Sequence, residues 1–104
     1  MTNWELLRWA DYSNPKRIKA LLMRMNNLLL LAEKGDTVAH SIYIDLKNAL
    51  YTKGVLSDKQ RKYLLLWMAG WEQGQIAWAS DVWTRSVERT LGVAIKNIIL
   101  FLGE

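Results

Sequence analysis

GQIAWASDVWTRSVERTL, residues 74–91, is the stretch whose reading decides the fold. Ile76 and Ala77 set an apolar residue beside a small one, as a short helix requires where a second helix crosses it closely. Asp81 stands where the chain must turn, and aspartate is an acceptable second choice after glycine for unusual backbone dihedrals. Val82 follows as an apolar pin for that turn, and Val87 and Leu91, one turn apart, anchor a second helix. A short helix, a tight turn and a longer helix have the proportions of a helix-turn-helix. Such a unit presents the N-terminal turns of its second helix to a DNA major groove.

Working outward, Ser57-Asp58-Lys59-Gln60 has the form of a capping box, with glutamine at the third helical position. It opens a helix carrying Tyr63, Leu64, Leu66, Trp67 and Met68, which Gly70 stops. The short helix is expected over residues 73–80. The last helix is expected from about Thr84 to Leu102, with Val87, Leu91, Ala94, Ile98 and Leu102 as an inward seam at spacings of three and four. Upstream, Asp36 or Thr37 caps a helix ending near Lys53-Gly54, whose apolar positions are Val38, Ile42, Leu46, Ala49 and Leu50. Ser13-Asn14-Pro15 is a helix-start signal for an unbroken helix towards Lys34, stopped at Gly35. A short first helix, beginning after Thr2 or Asn3, precedes Ser13. The expectation is an all-α single domain of about six helices over residues 1–104. Residues 1–54 form an N-terminal helical part and residues 55–104 the helix-turn-helix part.

Composition narrows the function classes. The 104 residues suffice for one modest core. Without cysteine there is no disulfide framework, thiolate metal site or cysteine nucleophile, which fits a cytoplasmic location. The opening residues lack the basic-then-apolar order of a secretory signal. Residues 21–32 are apolar but contain Arg24, Asn26 and Asn27; residues 93–102 contain Lys96 and are about half a membrane span long. Both read as buried helix faces, so no membrane partner is expected. His40 is the sole histidine, the carboxylates are scattered, and no glycine-rich phosphate loop occurs. Neither an enzyme nor a metal or other cofactor is expected. The net charge of +4 permits a polyanionic partner without demonstrating one. Residues 55–104 are close to neutral, so any electrostatic footprint must come from local placement.

The ordered set Leu56-Ser57-Asp58-Lys59-Gln60-Arg61, Leu64, Leu65, Gly70, Gln73, Gln75-Ile76-Ala77, Val82, Ser86-Val87, Arg89, Leu91, Ala94 and Lys96 resembles the region-four domain of sigma-70 family factors. It is more similar still to the small region-four-like regulators of phages and prophages of Gram-positive bacteria. The segment from Ser41 to Leu50 also resembles what precedes the module in the phage proteins. The resemblance covers the last two-thirds of the chain. It implies a transcription regulator in the cytoplasm of a bacterial host, with duplex DNA as partner and RNA polymerase or a sigma factor as a further contact. Asp81 departs from the family's glycine, and Trp83 stands where the family has a serine or threonine cap. Trp83 cannot accept from backbone donors, so either Thr84 takes over as cap or Trp83 packs against a neighbour.

For duplex DNA, Thr84, Arg85, Ser86, Glu88 and Arg89 are the residues expected at the groove. Arg85 and Arg89, four apart, would reach guanine or phosphate, and Glu88 a cytosine amino group or a neighbouring cation. Lys59, Arg61 and Lys62 are candidates for sequence-independent phosphate contacts, or for a solvated helix face. Trp71, Trp78 and Trp83 cluster around the short helix and its turn, and with Ile99 and Phe101 they are candidates for a protein interface, including a homodimer. Trp4, Trp9 and Trp67 read as core. The competing reading is a protein-interaction module of the same fold that binds polymerase or a sigma factor without reading DNA. The basic first turn of the second helix, Lys16, Arg17 and Lys19, opposes the helix dipole and is either solvated or met by an anionic partner.

Overall fold

The computed structural model describes residues 12–103. Six helices occur among them, with no strand: α1 (Pro15–Met23), α2 (Met25–Glu33), α3 (Thr37–Tyr51), α4 (Asp58–Met68), α5 (Gln73–Ser80) and α6 (Thr84–Leu102). The all-α architecture is as expected. The helix expected ahead of Ser13 lies outside the described residues, as do Trp4 and Trp9.

One expectation is corrected. Residues 15–33 form two helices, divided at Arg24, whose backbone leaves the helical region at φ −107° and ψ 14°. Its N–H turns to the Leu21 carbonyl at 3.0 Å, a three-residue closure instead of the four-residue bond of an α-helix. No glycine or proline marks the place. The cause is tertiary: α1 lies against α6 while α2 lies along α3, and one straight rod cannot follow both. Asn26 and Asn27, weak helix formers, sit just beyond the break.

Elsewhere the local chemistry sets the boundaries. The Asp36 carboxylate accepts from the Ala39 N–H at 3.0 Å and opens α3. The Ser57 hydroxyl accepts from the Gln60 N–H at 3.1 Å while the Gln60 side chain accepts from the Ser57 N–H at 2.9 Å, which opens α4. At its far end Gly70 takes φ 102°. The Gly70 N–H then reaches the Trp67 carbonyl and the Trp71 N–H reaches that of Leu66, a Schellman closure that satisfies two orphan acceptors.

α6 is the hub, touching α1, α3, α4 and α5. Val87, Leu91, Ala94 and Ile98 are buried along it as expected, Ile95 joins them, and Leu102 is only partly buried. α3 contributes Ala39, Ile42, Leu46, Ala49 and Leu50, with Val38 at the margin. Buried side chains from both sides of residue 55 form one cluster. The Tyr12 hydroxyl donates to the Asp45 carboxylate at 2.9 Å and ties the start of the described chain to α3. Among the described residues no helix is long and apolar enough to cross a membrane.

Candidate nucleic-acid interface

The turn between α5 and α6 is built from two backbone bonds and one pin. Asp81 adopts the left-handed conformation, φ 55° and ψ 46°. Its N–H reaches the Trp78 carbonyl at 3.3 Å, and the Val82 N–H reaches that of Ala77 at 3.0 Å. The closure matches that at Gly70, with an aspartate in place of glycine, a residue type that tolerates this region better than most. Val82 packs against the core beside buried Ile76 and Ala77. The chain therefore re-enters a helix at a fixed angle, and the first turns of α6 emerge from the body at its N-terminal end.

Those turns are open to solvent. Thr84, Arg85, Glu88 and Arg89 are exposed and Ser86 is half-buried. Trp83, Thr84, Arg85, Ser86 and Arg89 surround a shallow concavity of about 600 Å³ that no carboxylate lines. Glu88 belongs elsewhere: it lines a separate cavity of about 280 Å³ with Lys19, Leu64, Trp67, Gln73 and Leu91, where α1, α4, α5 and α6 meet. The structure thus brings Arg85 and Arg89 together and assigns Glu88 to another wall.

Neither sequence-based account of Trp83 holds. Helix α6 begins at Thr84, so Thr84 does not take over as cap, and Trp83 itself occupies the cap position with φ −75° and ψ 146°. It makes no side-chain capping bond and is 83% exposed, so it packs on little.

The basic trio on α4 divides. Lys59 and Lys62 are exposed, with the Lys59 ammonium 5.6 Å from the Tyr63 ring centroid. Arg61 turns inward. Its Nε donates to the Leu50 carbonyl at 2.7 Å, and its two terminal nitrogens meet Asp58 Oδ1 at 3.3 Å and the Leu56 carbonyl at 3.5 Å. The guanidinium also lies 5.9 Å from the Tyr51 ring centroid. It staples α4 to the end of α3, and its donors are engaged within the chain. As a phosphate contact Arg61 is therefore set aside, leaving Lys59 and Lys62. This linking role was hidden in the sequence, since the acceptor is a backbone carbonyl eleven residues away.

The aromatic candidates separate likewise. Trp78 is 87% exposed and Trp71 40%, whereas Trp67 is partly buried against the core. Ile99 and Phe101 are partly buried on the chain's own core, and between them Leu100 is 59% exposed. Gly74 stands within α5 at a cost of about 1 kcal/mol relative to alanine. Its φ is not positive, and an added Cβ there would meet nothing within 4 Å, so neither backbone nor packing accounts for it.

Among the described residues no three histidine, cysteine, aspartate or glutamate side chains gather as a metal site would require. Compared with protein-family models, curated proteins and solved structures, the chain gives no match.

Proposed function

We propose that this chain is a transcription regulator of the phage or prophage type, working in the cytoplasm of a bacterial host, that binds duplex DNA through the first two turns of α6. The observation that carries the reading is the exposed Arg85–Arg89 pair at the start of a helix held at a fixed angle by the Asp81–Val82 turn. An α-helix presented end-first fits a major groove, and two guanidinium groups one turn apart reach guanine edges or flanking phosphates. Lys59 and Lys62, in the first two turns of α4, supply phosphate contacts that fix orientation without reading sequence. The region-four-like residue pattern supports the same reading and adds RNA polymerase or a sigma factor as a second contact.

The test is an anisotropy titration of host and phage promoter duplexes at low salt. Binding should weaken with salt at a log–log slope of about −0.9 per phosphate contacted. The Arg85→Ala/Arg89→Ala variant, altered only at exposed positions, should lose most of the affinity. Failure of the wild type to bind, or equal binding by the double variant, refutes the reading.

A second reading has its own observation. Trp78 and Trp83 leave most of their indole surface in water beside the turn, as in a protein interface. On this reading the fold binds polymerase or a sigma factor and redirects transcription without touching DNA. Retention of polymerase subunits or a sigma factor on the immobilised chain, with no duplex binding, would favour it.

A further inference from the structure

Two features of α5 go against local preference, and the duplex reading uses neither. Trp78 holds a large indole in solvent, and Gly74, four residues earlier, weakens a helix of eight residues without a steric or dihedral reason. Side chains on a helix lean toward its N-terminus, so position 78 overhangs position 74. The missing side chain at Gly74 therefore leaves open space under one flank of Trp78. Trp71 closes the far side of that space, behind the Gly70 turn, and the concavity measures about 670 Å³. A tight turn and a helix-breaking glycine thus hold two indoles around one notch.

The one charged side chain lining the notch is the carboxylate of Glu72, which more than offsets the positive end of the α5 dipole there. Glu72 and Gln75 stand on its rim, and no lysine or arginine lines it. Indole faces carry negative potential and attract cations, and a nearby carboxylate adds to that field. The notch offers a phosphate no cationic side chain, which separates this surface from the basic concavity at Trp83. Of the cationic side chains, arginine suits it best: its flat, weakly hydrated guanidinium stacks on an aromatic face while its edge donates to a carboxylate. We propose that the notch between Trp71 and Trp78, with Glu72 on its rim, is a docking site for an arginine side chain of a protein partner. The site stands independently of duplex binding through α6, since the two share no residue.

The experiment titrates the full-length chain with the peptide Ac-Gly-Arg-Gly-NH2 and with its citrulline counterpart, the same shape without the charge. The indole N–H resonances of Trp71 and Trp78 report occupancy. Saturable shifts of both are expected, with the citrulline peptide about two- to fivefold weaker, in keeping with an exposed cation–π contact. Trp78→Ala should abolish the response, and Glu72→Gln should reduce it. Gly74→Leu fills the notch and strengthens the helix, so loss of binding in that variant cannot come from unfolding. Arg85→Ala/Arg89→Ala should bind the peptide as the wild type does, whatever the outcome with DNA.

Equal affinity for the citrulline peptide overturns the proposal in favour of a plain apolar notch. Absence of any response, or a full response in Gly74→Leu, overturns it outright. Shifts of the same indoles with protein concentration alone would make the occupant a second copy of this chain, and shifts on adding duplex would make it DNA. Either result replaces the partner proposed.

Discussion

Replacing Arg61 by lysine keeps the charge and removes the fork, and the expected result is a large loss of stability. The Nε–Leu50 carbonyl bond is short at 2.7 Å, and Leu50 is 1% exposed. Hydrogen bonds from charged groups contribute about 1.5–3 kcal/mol. The Arg61 side chain is 22% exposed, which favours the lower half of that range. Stacking on Tyr51, near the surface, adds about 0.5 kcal/mol. The ion pair to Asp58 is left out of the sum, because that carboxylate is fully exposed. Together these give about 2 kcal/mol, or a fall of roughly 1–2 M in the urea midpoint for a chain of this size. Urea unfolding followed by circular dichroism measures it. A phosphate-contacting Arg61 would give the opposite pattern, since lysine would preserve stability and also the salt slope of DNA binding. A midpoint shift below about 0.3 M would refute the staple.

Three further outcomes are expected. Trp83→Ser should stabilise the fold by about 1 kcal/mol in the same assay, because the backbone at position 83 has cap geometry and the indole surrenders little buried area. Asp81→Gly should gain about 0.5 kcal/mol at its left-handed position, and Asp81→Val should lose about 1–2 kcal/mol there. Burial, then the hydrogen bond and the charge of Asp45, hold the Tyr12 phenol above its usual range. The unfolded chain therefore ionises Tyr12 first, so its stabilising effect is intact below about pH 10 and is lost as pH rises further. Urea midpoints of wild type and Tyr12→Phe should accordingly draw together or cross above pH 10, and a constant difference would count against this.

The parts of the fold legible in the sequence were those written in local chemistry. Ser57 with Gln60, Gly70, and Asp81 with Val82 mark boundaries through bonds spanning three to five residues: α4 begins and ends, and α5 ends, where those residues imply. The break at Arg24 was illegible because its cause lies in two different partners for α1 and α2, with no weak residue at the joint itself. Arg61 was misread for a similar reason. A basic residue on the first turn of a helix looks like a phosphate ligand until the end of α3 is folded against it. Trp78 and Trp83 hold exposed indoles beside the turn, as the sequence implies, whereas the sequence does not show that Ile99 and Phe101 lie partly against the chain's own core. Periodicity separates faces of a helix, but how far the neighbouring helices reach around it is a property of the assembled fold.

The central position of α6 makes it a lever as well as a contact surface. Its fulcrum is the buried stretch around Ala94 to Ile98, Val87 and Leu91 grip it again near the turn, and Arg85 stands at its tip. Thirteen helical residues separate Arg85 from Ile98, a length of about 20 Å. A reorientation of roughly 5° at the fulcrum carries the tip about 2 Å, enough to break a hydrogen bond. The aim of the two arginines is thus set jointly by the Asp81–Val82 turn and by methyl groups far from it. On the proposed duplex reading, core substitutions near Ile98 that leave the chain folded should retune which contacts the arginines make, a handle on target preference apart from the surface.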